Sequence, residues 1–265
     1  MSERVLVEVV DHIAHVRLNR PDKLNALDLP MFEAINAAGD RVAADPSVRA
    51  VVLSGEGRSF CSGLDFLSFV QSGQEGQDRL LGERVGPANL AQRVAWVWRE
   101  LDVPVIAALH GHVYGGGLQI AMGADIRIAT AEARLSVLEI KWGLIPDMGF
   151  TRTLMGTVRP DVLAEMTFTG APMSGEAAVA AGLVTRLAED PLAEALDLAK
   201  VIASKNPDAI RANKRMIREA PALSTAEAFE LESALQIGVL GKPNQLEAVA
   251  ANLQKRQPVF SKTRS

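Results

Sequence analysis

HGHVYGGGLQIAMGADIRIATAEARLSVLEIKWGLIPDMG, running from His110 to Gly149, is the stretch whose reading decides the fold. Three consecutive glycines, Gly115 to Gly117, follow the apolar β-like run PVIAAL (Pro104–Leu109) and open the short helix-like segment LQIAMGAD. Glycine permits close backbone approach and unusual φ/ψ angles. A glycine turn that opens a helix leaves unpaired N–H groups beside the positive end of the helix dipole. Such a turn suits an anion, either a phosphate or the oxyanion formed when a carbonyl is attacked or enolised. Two acids follow, Glu139 and Asp147, with Gly143, Pro146 and Gly149 between or just after them. Burial disfavours the charged form of a carboxyl group, so acids on apolar loops can trade protons near neutral pH. Taken singly these features are weak, since a GGG turn is usually only a tight turn and most acids are solvated.

Working outward, the run VLVEVVDHIAHVRLNR (Val5–Arg20) alternates in places and reads as two strands joined at Asp11–His12. Asp28 is placed as the N-cap, and Pro30 in the first turn, of a helix reaching about Ala44. RAVVLSGEG reads as a buried strand, and Asn89 to Leu101 as an amphipathic helix whose Trp96 and Trp98 belong to the core. Residues 67–88 are polar, glycine-rich and weakly periodic, which reads as a variable surface loop or pocket-shaping segment. Past Gly149 the pattern is helical: Asp161 to Phe168, then Ser174 capping EAAVAAGLV. From Pro191 four helix-like segments follow, broken at Asn206–Pro207, Pro221 and Lys242–Pro243, and a soft boundary is set near residue 195.

The length of 265 residues allows one large domain or one with a small appendage, and 48% hydrophobic residues supply a core. A net charge of −4 and the lack of a basic run argue against nucleic-acid binding. The lone Cys61 excludes an internal disulfide and suits a reducing cytoplasm; a small buried filler is favoured over a nucleophile. MSERVLVEVV lacks the pattern of a signal peptide, and no run approaches ~18 apolar residues, so neither secretion nor membrane insertion is expected. His110 and His112 make a poor metal-ligand set, and no metal is expected.

The ordered segments HGHVYGGG, LQIAM, GADIRIA and LEIKWGLIPDMG, with RSFCSGLDF (Arg58–Phe66) and LNRPDKLNALD (Leu18–Asp28) upstream, resemble the crotonase (enoyl-CoA hydratase/isomerase) superfamily over essentially the whole chain. That resemblance implies an α/β fold: a ββα spiral core over residues 1–195 and a C-terminal helical lid and trimerisation region over 196–265. It implies an acyl-CoA thioester substrate, with coenzyme A part of that substrate and no separate cofactor, and a homotrimer or dimer of trimers. The main-chain N–H groups of Leu64 and Gly116 would form the oxyanion hole for an enolate. Lys23, Leu24, Ala26 and Asp65 would line the nucleotide end. Trp142 is a further substrate-binding candidate, and Phe260 and Lys262 resemble tail residues that approach the CoA phosphate.

The acids decide the reaction. Hydratases of the family hold a water between two glutamates, of which Glu139 is one, while the other position carries Gln119. An amide can orient a water but cannot take its proton. The Glu139-to-Asp147 interval resembles that of the dienoyl-CoA isomerases, although those carry a third acid at position 119. The favoured expectation is a double-bond isomerase on an unsaturated acyl-CoA, with Asp147 and Glu139 as the acid–base pair and Gln119 aligning the acyl chain or hydrogen-bonding Glu139. A hydratase is the alternative. A 3-hydroxyacyl-CoA hydrolase, an aryl-CoA dehalogenase and a non-catalytic acyl-CoA-binding protein rank lower.

Overall fold

The computed structural model describes residues 3–82 and 84–261. β1 (Val5–Val10) and β2 (Ile13–Leu18) form an antiparallel hairpin. Asp11 and His12 join them with φ values of 47° and 69°, the doubly left-handed turn that matches strand twist. α1 (Leu29–Ala44) starts where the Asp28 carboxylate accepts the Met31 N–H at 3.0 Å. β3 (Ala50–Gly55) then runs parallel to β2.

Residues 67–88, whose Phe69, Leu80 and Leu81 line the cavity described below, are not a plain surface loop. They supply α2 (Phe66–Gln71), α3 (Gly73–Leu81) and a small hairpin of β4 (Arg84–Val85) and β5 (Ala88–Asn89). The helices are hard to read because α3 buries only Gly76 and Leu80, and Gly73, Gly76 and Gly82 lower helix propensity. Asn89 and Gln92 form a reciprocal capping box for α4 (Leu90–Glu100).

Next come β6 (Val105–Leu109), β7 (His112–Tyr114), α5 (Gly116–Met122), β8 (Ile126–Ala129) and β9 (Arg134–Ser136). A 3-10 turn over Glu139–Trp142 leads to α6 (Phe150–Thr153), α7 (Pro160–Thr169), β10 (Met173–Ser174), α8 (Gly175–Ala180) and β11 (Arg186–Leu187). The chain closes with α9 (Pro191–Ala203), α10 (Pro207–Glu219), α11 (Thr225–Val239) and α12 (Pro243–Leu253).

The main sheet has the order β1-β2-β3-β6-β8-β11, parallel throughout except for the β1–β2 hairpin. A second sheet, β10-β9-β7, carries the glycine turn on its β7 end. Both faces of the main sheet are covered, which is why its central strands read as continuous apolar runs. Val51, Leu53, Val105, Ala107 and Leu109 enter the large cluster under α1 and α4. Their neighbours Ala50, Val52, Ile106 and Ala108 enter a second cluster with Ala195, Ala199 and Ala203 of α9. Those alanines recur every fourth residue, so α9 presents a smooth small-residue face to the sheet. The boundary expected near residue 195 therefore falls inside a helix that packs on the sheet.

Lys214 docks α10 on this core. Its buried ammonium meets Asp125 at 2.9 Å, Val103 O at 2.8 Å and Trp98 O at 3.1 Å. Removing the cation would strand two carbonyl groups and take the charge partner from Asp125, which keeps the Val105 N–H. Lys214→Met is expected to lower the unfolding free energy by about 2–4 kcal/mol in urea titrations.

Candidate active site

The site is assembled by a strand-like segment outside the named strands. Residues 61–65 lie between the 24–28 loop and β7: Cys61 N–H donates to His112 O at 3.0 Å, and Tyr114 N–H to Cys61 O at 3.0 Å. On the other side Leu27 N–H donates to Gly63 O at 2.8 Å, and Asp65 N–H to Leu27 O at 2.9 Å. Asn25 locks this arrangement. Fully buried with φ of 55°, it donates its side-chain amide to Glu56 O, Ser59 O and Phe60 O and accepts the Arg20 N–H. Leu64 is thereby brought beside the glycine turn: a Cβ on Gly63 would lie only 3.7 Å from Gly116 N.

The glycines are required by contact as well as by conformation. Gly115 has φ of 52° and ψ of −119°, and a Cβ there would stand 3.3 Å from Glu139 Oε1. On Gly116 a Cβ would sit 2.6 Å from Met148 Sδ. Among the described residues, neither the Leu64 nor the Gly116 N–H donates a hydrogen bond to protein.

A mostly apolar cavity of about 270 Å³ opens here, and Leu64, Gly116, Glu139, Trp142 and Asp147 all line it. Gln119 sits behind the wall, 1% exposed, donating to Glu139 Oε1 at 2.7 Å and accepting from Met148 N–H at 2.8 Å. Of the two roles expected for Gln119, the structure shows the hydrogen bond to Glu139. Glu139 Oε2 is buried and has no protein partner. Burial pushes the Glu139 carboxyl above its ordinary range, with the Asp147 carboxylate adding to the rise and Gln119 opposing it. Burial likewise pushes Asp147 up.

The remaining expected residues lie outside the cavity wall. Lys23 and Leu24 adjoin it through their carbonyls, which accept from the Ser62 hydroxyl and N–H. Ala26 is buried, and its carbonyl accepts from the Arg20 guanidinium at 3.0 Å. Asp65, expected at the nucleotide end, is engaged within the protein. It caps α2 through Ser68 N–H and pairs with Arg20 at 2.8 Å, because a short helix on the rim needs its own cap. Phe260 offers its carbonyl to Arg49 at 3.1 Å, and Lys262 lies outside the described residues. The Cys61 thiol donates to Asn25 O, and burial pushes it up to about 12, so it is core filler and no nucleophile. His110 and His112 contact Gly57 O and the Ser59 hydroxyl.

Sequence reasoning missed Asn25, Met148 and Phe66. Phe66 stacks on the half-exposed Trp142 with ring centres 4.5 Å apart. The work of Met148 is done by a backbone N–H, which no side-chain pattern signals.

A family model described as enoyl-CoA hydratase/isomerase matches residues 8–263. The chain belongs to the enoyl-CoA hydratase/isomerase family. It is 32% identical over 257 residues to the enoyl-CoA hydratase EchA19 of Mycobacterium tuberculosis, across 96% of this chain and 95% of that protein. It is 30% identical over 264 residues to the mitochondrial Delta(3,5)-Delta(2,4)-dienoyl-CoA isomerase of Mus musculus, across 92% of this chain and 77% of that one. The crystal structure of an enoyl-CoA hydratase from Bacillus anthracis superposes with a TM-score of 0.90 at 26% identity, covering 98% of this chain and 100% of that one. The family's crotonase fold, expected from the motifs, is thereby shown.

With the pKa of both cavity acids raised, charge at the site opposes folding. Between the ordinary and the raised pKa of such an acid the native state binds more protons than the unfolded state, so stability falls as pH rises through that window. Glu139→Gln is expected to raise the urea midpoint above wild type at about pH 8, and the gain should vanish below about pH 4, where both forms are neutral.

Proposed function

We propose that this enzyme shifts a double bond in an unsaturated acyl-CoA thioester. The observation that carries the reading is the pairing of Glu139 and Asp147 on one apolar cavity while the third polar side chain, Gln119, is an amide engaged at both ends. The unengaged N–H groups of Leu64 and Gly116 would hold the thioester oxygen as the enolate forms. Asp147 would take the α proton, and Glu139 would return a proton further along the chain. The two roles are exchangeable between steps, because interacting carboxyls titrate jointly. Raised pKa values suit this chemistry, since one group must be ionised while the other holds a proton. The similarity to the mouse dienoyl-CoA isomerase supports the reading.

A hydratase reading rests on the M. tuberculosis and B. anthracis relatives and on one atom. Glu139 Oε2 lacks a partner and could hold a water. Gln119 could then orient that water but not deprotonate it, leaving Glu139 to act alone.

Turnover of enoyl- and dienoyl-CoA in heavy-oxygen water separates the two. Isomerisation leaves the product oxygen-free of label, whereas hydration adds one labelled oxygen. We expect an unlabelled product, and a kcat lowered roughly 100-fold to 10,000-fold in Asp147→Asn. Labelled product as the main species would overturn the isomerase reading in favour of hydration.

We also propose that the enzyme works as a homotrimer or a dimer of trimers. Phe229, Ile237, Leu246 and Leu253 stand exposed on α11 and α12, an apolar surface suited to burial between copies. Light scattering on the purified chain should give three or six times the 28.4 kDa chain mass; a monomer would refute the assembly.

A further inference from the structure

Gln119 is a buried polar side chain with no assigned part in proton transfer. Its carboxamide has one permitted orientation: Met148 N–H is a donor, so it must meet the oxygen, which turns the NH2 group toward Glu139. We infer that Gln119 is the positioning residue that fixes both acids at once, Glu139 through its carboxylate and Asp147 through the peptide bond joining it to Met148. The inference rests on Glu139 and Asp147 being the proton-transfer pair.

The argument starts from what is rigid. α5 is buried along its whole length, so Gln119 projects from a fixed frame. Asp147 has no such support of its own. It lies between the 3-10 turn that ends at Trp142 and α6, which begins at Phe150, in a stretch without regular structure. The Met148 N–H bond at 2.8 Å is the tie that fixes this stretch next to Asp147. It also seats the Met148 sulfur against the glycine turn, in the place a Cβ on Gly116 would occupy. At the other end the 2.7 Å bond fixes one Glu139 oxygen and leaves Oε2, the unpartnered one, to exchange a proton. The charged group acting on Glu139 is Asp147, while the Lys141 ammonium lies over the Trp142 ring at 5.5 Å. One amide therefore sets the spacing of two acids that share no hydrogen bond with each other.

The test compares Gln119→Leu, Gln119→Glu and Glu139→Gln in the full chain, with pH–rate profiles on a dienoyl-CoA and urea midpoints measured in parallel. Leucine fills similar space but holds neither end. Its kcat should fall on the order of 100-fold, as misplaced reacting groups do, with KM within about threefold of wild type. Glutamate still accepts from Met148 N–H but sets a second carboxyl against Glu139, so the pair must share a proton and the pH–rate profile should move to higher pH. A wild-type kcat in Gln119→Leu would overturn the inference. So would an unmoved profile in Gln119→Glu, which decides alone if the leucine variant does not fold. Full turnover in Glu139→Gln would remove the acid–base pair itself and the inference with it. Loss of turnover in Glu139→Gln beside wild-type Gln119 variants would sink the positioning role only.

Discussion

Keeping two carboxyl groups in a largely apolar cavity is a constraint that most of the local structure answers. A buried carboxylate without partners costs several kcal/mol, and the usual outcome is a raised pKa in place of a bare charge. Here the cost is moderated and not removed: Glu139 keeps one hydrogen bond from Gln119 and leaves one oxygen bare. Full satisfaction would pull the pKa down and occupy the remaining lone pairs. The partial satisfaction of Glu139 suits the proposed acid–base role, and the stability it forfeits must come from elsewhere in the fold.

That compensation is found in the sheet. With both faces covered, β3 and β6 contribute nine residues of a chain that alternates between two apolar clusters without a solvated side. The close approach of α9, made possible by Ala195, Ala199 and Ala203, seals the second face. Asn25 plays a similar part in polar form. A loop that must turn left-handed twice, at Leu24 and Asn25, is held by an amide bonded to three carbonyls. Leu64, the proposed oxyanion donor, then follows along a ladder of main-chain bonds.

What could be read from the sequence divides along the same physical line. Strands, caps and glycine turns were legible because they depend on local chemistry: Asp28, Asn89 and Ser174 each cap the helix expected after them. The acids Glu139 and Asp147 were legible as residue types at an interval, and the structure brings both to one cavity. The helices of residues 67–88 were not, since α2 buries no residue and α3 only Gly76 and Leu80, while Phe69, Leu80 and Leu81 face the cavity. The internal bonds of Asp65 were not legible, because a carboxylate near a motif looks the same whether it caps a helix or meets a ligand, and its Arg20 partner lies forty-five positions earlier in the chain.

The engagement of Gln119 bears on why an amide stands at this position. A glutamate there would still accept the Met148 N–H, so backbone geometry alone does not select glutamine. The difference lies at the other oxygen, 2.7 Å from Glu139, where an acid could remain only by sharing a proton with its neighbour. Glutamine supplies a donor without a charge, so Glu139 can ionise while Asp147 is close by. In this cavity a third carboxyl, set 2.7 Å from Glu139, would push Glu139 further toward the neutral form. The amide at 119 therefore adds no charge beside Glu139, and under the proposed mechanism it leaves one member of the pair ionised near neutral pH.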